Sequence, residues 1–434
     1  MTQVIENLRT EERVEQFRPY VDSVTLKARQ AFRQVRQLDG ASRNHILIEL
    51  AAQLESSTCQ DSIITANKKD IELAQENQMS SAMIDRLKLD SKRIFSIARA
   101  VREIAAFDDP VGEVIRGQCL PSGVQMIQKR VPLGVVFTVF ESRPNVTIDV
   151  AALCIKSGNA AILRGGKEAF FSNMALYQVI VDVFESVGVD SASVQLIEET
   201  DRACMQALLE RDDRIDLAVP RGGEGLIKFV SQNTRIPVVK HDKGVCNLFI
   251  DESADLDKSI KIAINAKLQR PSVCNSIENL VIHSKFQHTA KLLQALDTAG
   301  AELLGCDRSS KLYSNMKPIT DEEVEYSTEY LDNRLAVKIV DSIDQAIDFI
   351  YKYGSGHSEA IITEQLVSTQ KFEKSIDSAT VFVNCSTRFH DGGQMGMGAE
   401  VGISTGRLHV RGPMGVRDLT TTTYVMVGDG QIRE

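Results

Sequence analysis

One cysteine stands in a setting that suits a nucleophile. The stretch QRPSVCNSIENLVIH (269–283) carries Cys274 on a polar turn with a proline, and the apolar run Leu280, Val281, Ile282 follows at once. Ser272, Asn275 and Ser276 flank the cysteine, which predicts a position open to a substrate, and only the thiolate of such a residue is a strong nucleophile. Set against this, isolated cysteines are most often small buried hydrophobes, so the rest of the chain has to decide. Two glycine-bearing turns follow apolar runs: Arg164, Gly165, Gly166, Lys167 after 160–163, and Pro220, Arg221, Gly222, Gly223, Glu224, Gly225 after 215–219. Glycines let the backbone approach a ligand, helix N-termini favour anions, and Arg or Lys adds charge for phosphate. Neither turn matches GxGxxG or GxxxxGK[ST]. Two of them at successive strand ends nevertheless predict a dinucleotide site, because open α/β sheets bind ligands there. The seven histidines form no HExxH and no pair at metal-ligand spacing, and there is no GxSxG elbow, so no metal is expected and Cys274 is the best-framed nucleophile.

The elements that must position these residues can be read from composition and periodicity. With 434 residues, 43% hydrophobic and 25% charged, the chain has the make-up of a globular protein of two or three packed units. A formal net charge of −9 argues against a general binder of nucleic acid or anionic membrane. No apolar run approaches the roughly 20 residues needed to span a bilayer, and the charged N-terminal stretch does not read as a secretory signal. Eight cysteines without a CxxC pair suit a reduced, cytoplasmic compartment.

Residues 22–107 read as helices, with Ser42 as an N-cap before the face formed by Ile46, Leu47, Leu50, Ala51 and Leu54, and a second stripe of Ile94, Ile97, Ala98, Val101 and Ile104. From 114 to 131 the pattern is a two-stranded ribbon turning at 120–123, which cannot bury itself alone. Strands are then predicted at 134–140, 160–163, 194–197, 215–219 and 237–240, with helices at 146–156, 168–187 and 224–232 between them. That alternation means βαβ units and a mostly parallel, buried sheet. It resumes from Cys246 to Val383, which puts a domain boundary near Lys243 and Gly244. A glycine-rich loop (391–398) and a β-prone run (420–427) close the chain.

Val131, Pro132, Leu133, Gly134, Val135 and Val136, then Gly158 and Asn159 leading to Arg164, then the Cys274 loop, resemble the aldehyde dehydrogenase superfamily in that order. Longer stretches are similar to its branch that reduces an acyl phosphate: ESRPN (141–145), VPRGGEGLIKFVSQNTRIPVVKHDKGVCN (219–247), QRPSVCN (269–275), YGSGHSEAI (353–361), STRFHDGG (386–393) and GAEVGISTGRLHVRGPMG (398–415). The sequence departs from that pattern at Phe349, where a histidine is usual, and at Cys385, where a small residue is usual. His241 stands where hydrolytic members carry the glutamate that activates water, so exchange of a thioester with phosphate is favoured over hydrolysis.

The resemblance implies an aldehyde-dehydrogenase-like α/β fold. It would comprise a Rossmann-like NADP(H)-binding domain (1–112 and 133–244), an α/β catalytic domain (245–408) and a small β oligomerisation element (113–132 and 409–434). The reaction implied is NADPH-dependent reduction of L-glutamyl 5-phosphate to L-glutamate 5-semialdehyde through a thioester on Cys274, the second step of proline biosynthesis from glutamate. Asn145 is the expected oxyanion donor, although a gapless alignment puts Arg143 at that position. Arg143 and Arg388, with Ser386 and Thr387, are the expected substrate-binding residues. Arg164, Gly165, Gly166 and Lys167 would face the ribose phosphate of the cofactor, and Arg221, Gly222, Gly223 and Gly225 its pyrophosphate. A homodimer or tetramer and a transient contact with glutamate 5-kinase are implied, with no nucleic-acid or membrane partner. The alternatives are an acylating or hydrolytic aldehyde dehydrogenase, using coenzyme A or water, and a silent nucleotide-binding scaffold. Cys385, beside the presumed substrate loop, would make the site more sensitive to oxidation.

Overall fold

Two parallel sheets carry the chain. The structure is a computed structural model and describes residues 2–239, 243–397 and 399–433. It divides into two compact units, one formed by Met1–Lys240, Gly396–Gly402 and Met414–Glu434, the other by His241–Met395 and Ile403–Pro413.

In the first unit the helical reading of 22–107 is met by helices Thr2–Val35, Gly40–Glu55, Ser57–Glu76, Ser81–Leu87 and Ser91–Ala106. Both apolar stripes are buried as expected. The cap differs: Asp39 is the N-cap of Gly40–Glu55 and its carboxylate accepts from the Ser42 amide at 2.8 Å, which places Ser42 inside the first turn. Asp is as good a cap as Ser, and here it precedes it. Strands β1 (Val114–Cys119) and β2 (Gln125–Pro132) form the predicted antiparallel ribbon. Its missing partner comes from the other end of the sequence, since Thr420–Val427 pairs with β2 along its whole length. β1 stays exposed at every residue.

Beyond the ribbon run β3 (Val135–Phe140), β4 (Ala160–Gly165), β5 (Val194–Leu196) and β6 (Leu217–Arg221), parallel and in the order β5-β4-β3-β6. β3 is buried at all six positions, as a near-continuous apolar run in a sheet covered on both faces must be. Helices Val146–Lys156, Phe170–Val187 and Glu224–Gln232 supply crossovers. Two strand boundaries shift toward the C-terminus, so Arg164, Gly165, Pro220 and Arg221 end strands instead of forming turns. The strand expected at 237–240 reduces to a single parallel bridge between Ala218 and Val238, and Lys240 lies outside the described residues.

The second unit is built on seven parallel strands. These are β7 (Cys246–Ile250), β8 (Ile277–His283), β9 (Glu302–Gly305), β10 (Lys317–Pro318), β11 (Arg334–Val340), β12 (Ser358–Ile362) and β13 (Thr380–Val383), in the order β10-β9-β11-β8-β7-β12-β13. Helix Leu256–Leu268 leads into the Cys274 turn, and β8 leads out of it. Phe349 is core here, edge-on to Tyr326 and tilted against Tyr353 at ring distances of 4.8 Å each. An aromatic fits that slot on packing grounds, which accounts for the departure from the usual histidine. Among the described residues no helix is long and apolar enough to cross a membrane.

Candidate active site

Cys274 sits on a turn that is clamped from both sides. Lys267, in the last turn of the preceding helix, and Glu278, the second residue of β8, form an ion pair at 2.5 Å with both side chains fully buried. Burial pushes the Glu278 carboxyl up and the Lys267 ammonium down. The Ser276 hydroxyl donates to the Lys267 carbonyl at 3.2 Å and the Ser276 amide to the Val273 carbonyl at 3.0 Å. Cys274 itself remains partly exposed.

The other side of the clamp is the segment 386–390. The Thr387 hydroxyl donates to the Asn275 carbonyl at 2.6 Å, and the Asn275 amide donates to the His390 carbonyl at 2.9 Å. The Arg388 guanidinium donates to the Asn275 side-chain oxygen and, through Nε, to Gln269 Oε1 at 2.7 Å. Ser386 Oγ accepts from the Arg388 amide at 3.2 Å. The structure brings Ser386, Thr387 and Arg388 to the Cys274 turn and gives Thr387 a bracing part: its side chain is wholly buried and its hydroxyl is committed to the loop. Arg388 is half-buried. Burial lowers its pKa, Asp391 opposes that shift, Arg270 adds to it, and the negative form of Cys274 opposes it. By the same coupling the guanidinium favours the thiolate. At Cys385 burial raises the thiol, which makes its reactive thiolate scarce and weighs against an oxidation-sensitive site there. His241 lies outside the described residues, as does Gly398 of the glycine-rich tail loop.

In the first unit the end of β3 links the two glycine turns. Glu141 Oε2 accepts from the Gly223 amide at 2.9 Å, and Glu168 Oε1 accepts from the Ser142 amide at 2.6 Å and its hydroxyl at 2.9 Å. A Cβ at Gly222 would stand 2.4 Å from Glu141 Oε2, so the glycine gives the carboxylate room to lie against the turn. Gly165 and Gly166 are likewise crowded by Asn173 and Glu168, whereas Gly225 faces open space. Arg164 is buried, and its guanidinium donates to the carbonyls of Thr200 at 2.6 Å and Asp201 at 3.0 Å. That braces the loop after β5 and replaces the expected phosphate contact. Lys167 is exposed at the start of a short 3-10 turn. Arg221 Nε is buried without a hydrogen-bond partner among the described residues.

Arg143 and Asn145 occupy the turn before helix Val146–Lys156, where the Arg143 carbonyl accepts from the Val146 amide at 3.0 Å. Asn145 makes no side-chain cap; its amide donates instead to Asp149 Oδ2 at 2.7 Å. Burial pushes the Asp149 carboxyl up to about 6, against the pull of the Asn145 hydrogen bond and the Arg221 charge. Glu141, Glu168 and Asp149 were not singled out by sequence reasoning. The one available signal was the carboxylates' places beside the glycine turns and one helical turn after Asn145.

The model of the aldehyde dehydrogenase family matches residues 15–323. The chain is 53% identical to the gamma-glutamyl phosphate reductase of Leptospira interrogans, covering 95% of this chain and 99% of that one. The crystal structure of gamma-glutamyl phosphate reductase from Thermotoga maritima superposes with a TM-score of 0.92 at 39% identity, over 95% of this chain and 100% of that one. An engineered glycolyl-CoA reductase with bound NADP+ shares the fold at a TM-score of 0.68 and 14% identity, over 93% of this chain and 96% of that one.

Proposed function

The chain belongs to the aldehyde dehydrogenase family, among the gamma-glutamyl phosphate reductases, and from that premise we propose that it reduces L-glutamyl 5-phosphate to L-glutamate 5-semialdehyde and phosphate with NADPH, in the biosynthesis of proline from glutamate. The observation that carries the reading is the Cys274 turn, partly exposed, stapled by the buried Lys267–Glu278 pair and coupled electrostatically to Arg388.

The Cys274 thiolate attacks the acyl carbon, the C–S bond forms, and the acyl C–O bond breaks with phosphate as leaving group. The thioester carbon is then the hydride acceptor, the hydride being the chemistry that a bound nicotinamide nucleotide would supply. Collapse of the thiohemiacetal breaks the C–S bond, releases the semialdehyde and returns the thiolate. In this reading the side-chain amide of Asn145, oriented by Asp149, and a backbone N–H near Cys274 are the oxyanion donors. Arg143 and Arg388 are the guanidinium groups offered to the substrate carboxylate or phosphate. The test is NADP+ reduction by glutamate 5-semialdehyde with and without phosphate. Dependence on phosphate supports the reading, and turnover without it points to a hydrolytic enzyme.

The residues of the first unit fit a dinucleotide phosphate. The Gly223 amide, at the N-terminus of Glu224–Gln232, already holds a carboxylate, Arg221 Nε is buried and unsatisfied, and Lys167 is exposed. The pyrophosphate would lie on 221–225, the ribose phosphate by Lys167. Glu141 then competes for the same amide. Glu141→Gln is expected to tighten NADPH binding about two- to fivefold by calorimetry, the scale of one charge at a helix N-terminus. Weaker binding would show instead that Glu141 holds the turn in its receptive shape.

Residues 1–112 with 133–244 are read as the NADP(H)-binding domain and 245–408 as the catalytic one. The sheet of β1, β2 and Thr420–Val427 is read as the oligomerisation element, leaving Val114, Ile115, Tyr424, Met426 and Val427 exposed as its apolar surface. A homodimer or tetramer in the cytoplasm, in transient contact with glutamate 5-kinase, is the assembly proposed. Sedimentation at micromolar concentration is expected to show the oligomer, and Tyr424→Asp with Met426→Asp to shift it to monomer.

A further inference from the structure

The strands β8, β7, β12 and β13 are neighbours in that order, and their N-terminal ends lie side by side along one edge of the second sheet. A chain of side-chain hydrogen bonds runs along this edge. Thr380 Oγ1, on the first residue of β13, lies 3.0 Å from His390 Nε2. His390 Nδ1 lies 2.7 Å from Ser358 Oγ, on the first residue of β12, and Ser358 Oγ lies 2.8 Å from His357 Nδ1. His357 Nδ1 approaches Cys246 Sγ, on the first residue of β7, at 3.6 Å. The chain ends where Cys246 Sγ donates to the backbone carbonyl of Cys274 at 3.1 Å, on the turn before β8. Cys246, His357, Ser358 and His390 are all fully buried.

We propose that Cys246 is a positioning residue for the nucleophile: its thiol holds the Cys274 carbonyl, and the His357–Ser358–His390–Thr380 chain fixes the direction in which that thiol points. The proposal rests on Cys274 being the nucleophile. Three features support it. First, the Cys274 peptide has no room to move toward β7, because a Cβ on Gly244 would stand 2.1 Å from the Cys274 oxygen and 2.7 Å from its carbonyl carbon. Gly244, two residues before β7, and Cys246, its first residue, therefore hold one peptide between them. Second, burial holds the Cys246 thiol well above the usual thiol range, so it keeps its proton and remains a donor. Third, the chain admits a consistent set of neutral donors and acceptors. His357 Nδ1–H donates to Ser358 and to the Cys246 sulfur, Ser358 donates to His390 Nδ1, and His390 Nε2–H donates to Thr380. In that assignment the Cys246 proton is directed to the Cys274 carbonyl, and the Ser358 hydroxyl is a further hydrogen-bonding neighbour of its sulfur. His390 acts a second time through its own carbonyl, which receives the Asn275 amide at 2.9 Å.

Of the sequence motifs that supply these residues, KGVCN (243–247), GHSEA (356–360) and STRFH (386–390), only the last is read as touching the substrate, through Ser386, Thr387 and Arg388. Together they hold one peptide from several strand ends.

The test uses Cys246→Ala and Cys246→Ser with two readouts: kcat and KM, and the rate of Cys274 alkylation by iodoacetamide across pH, mapped by mass spectrometry. One lost hydrogen bond of ordinary strength predicts that Cys246→Ala lowers kcat and the alkylation rate about fivefold with KM little changed. Cys246→Ser, which keeps a donor, restores most of both. Parental kcat and alkylation in Cys246→Ala would overturn the proposal, as would equal loss in Cys246→Ser and Cys246→Ala. If Cys246→Ala does not fold, Ser358→Ala, which interrupts the chain at its centre, decides by the same readouts: a slower Cys274 supports the proposal and an unchanged one overturns it. Alkylation needs no substrate. A parent protein without turnover would therefore remove the reductase reading, while the alkylation rates would still decide whether Cys246 positions Cys274.

Discussion

Cys274→Ser is expected to abolish phosphate-dependent NADP+ reduction by glutamate 5-semialdehyde, a loss on the order of 10³-fold or more, because removing a covalent nucleophile removes the step that divides the reaction in two. The serine hydroxyl is nearly isosteric, yet it titrates far above any working pH, and the coupling to Arg388 that favours a thiolate cannot ionise it. The turn should keep its shape. Its restraints run through Ser276, Asn275, Thr387 and Arg388 and through the Cys274 carbonyl, none of which involves the Cys274 sulfur. The variant should therefore bind NADPH and melt like the parent. Residual phosphate-dependent turnover within tenfold of the parent would locate the nucleophile elsewhere. Loss of turnover together with loss of folding would be repeated with Cys274→Ala before any conclusion about chemistry.

The Cys274 turn was legible because its surroundings contradict the usual fate of cysteine: a polar turn with a proline runs straight into a strand, and strands and turns are local patterns. The parallel sheets were legible for the same reason, since their buried runs of Val, Ile, Leu and Ala are separated by helix-length spacers. Arg164 was not. A basic residue at a strand end beside two glycines reads as a phosphate ligand, and only the folded chain reveals the Thr200 and Asp201 carbonyls that take its guanidinium. The surroundings of the glycines were hidden in a similar way. Gly165, Gly166 and Gly222 make room for Asn173, Glu168 and Glu141, side chains that a sequence window cannot bring to them. The pairing of Thr420–Val427 with β2, across nearly 300 residues of chain, and the four-strand edge that joins Cys246 to Cys274 are both products of strand order, which local patterns do not encode.

Strand order also decides what holds the Cys274 turn shut, and Glu278→Ala should show how much depends on it. Lys267 and Glu278 are eleven residues apart, on either side of the turn, and both side chains are at zero exposure. Two buried opposite charges at 2.5 Å stabilise the fold little relative to an apolar pair, because desolvation offsets their attraction. Removing one partner is another matter, since it leaves an ammonium in the core with the Tyr330 ring, 5.9 Å away, and the charge of Asp332 to oppose its desolvation. Such a loss costs about 3–5 kcal/mol. For a unit of this size that is a fall in melting temperature on the order of 10 °C, read as the transition that carries the second unit rather than as one midpoint for the chain. Lys267→Met with Glu278→Leu, which removes both charges and keeps the volume, is expected to recover most of the melting temperature. Catalysis should separate the two effects. If the pair serves only stability, the double variant regains kcat along with its melting temperature. If the ionic contact sets the geometry of the turn, the double variant melts like the parent yet alkylates more slowly at Cys274. A melting temperature unchanged in Glu278→Ala would mean that the ammonium reaches water when its partner is gone, and the turn would then owe its shape to Ser276, Asn275, Thr387, Arg388 and the Cys246 thiol.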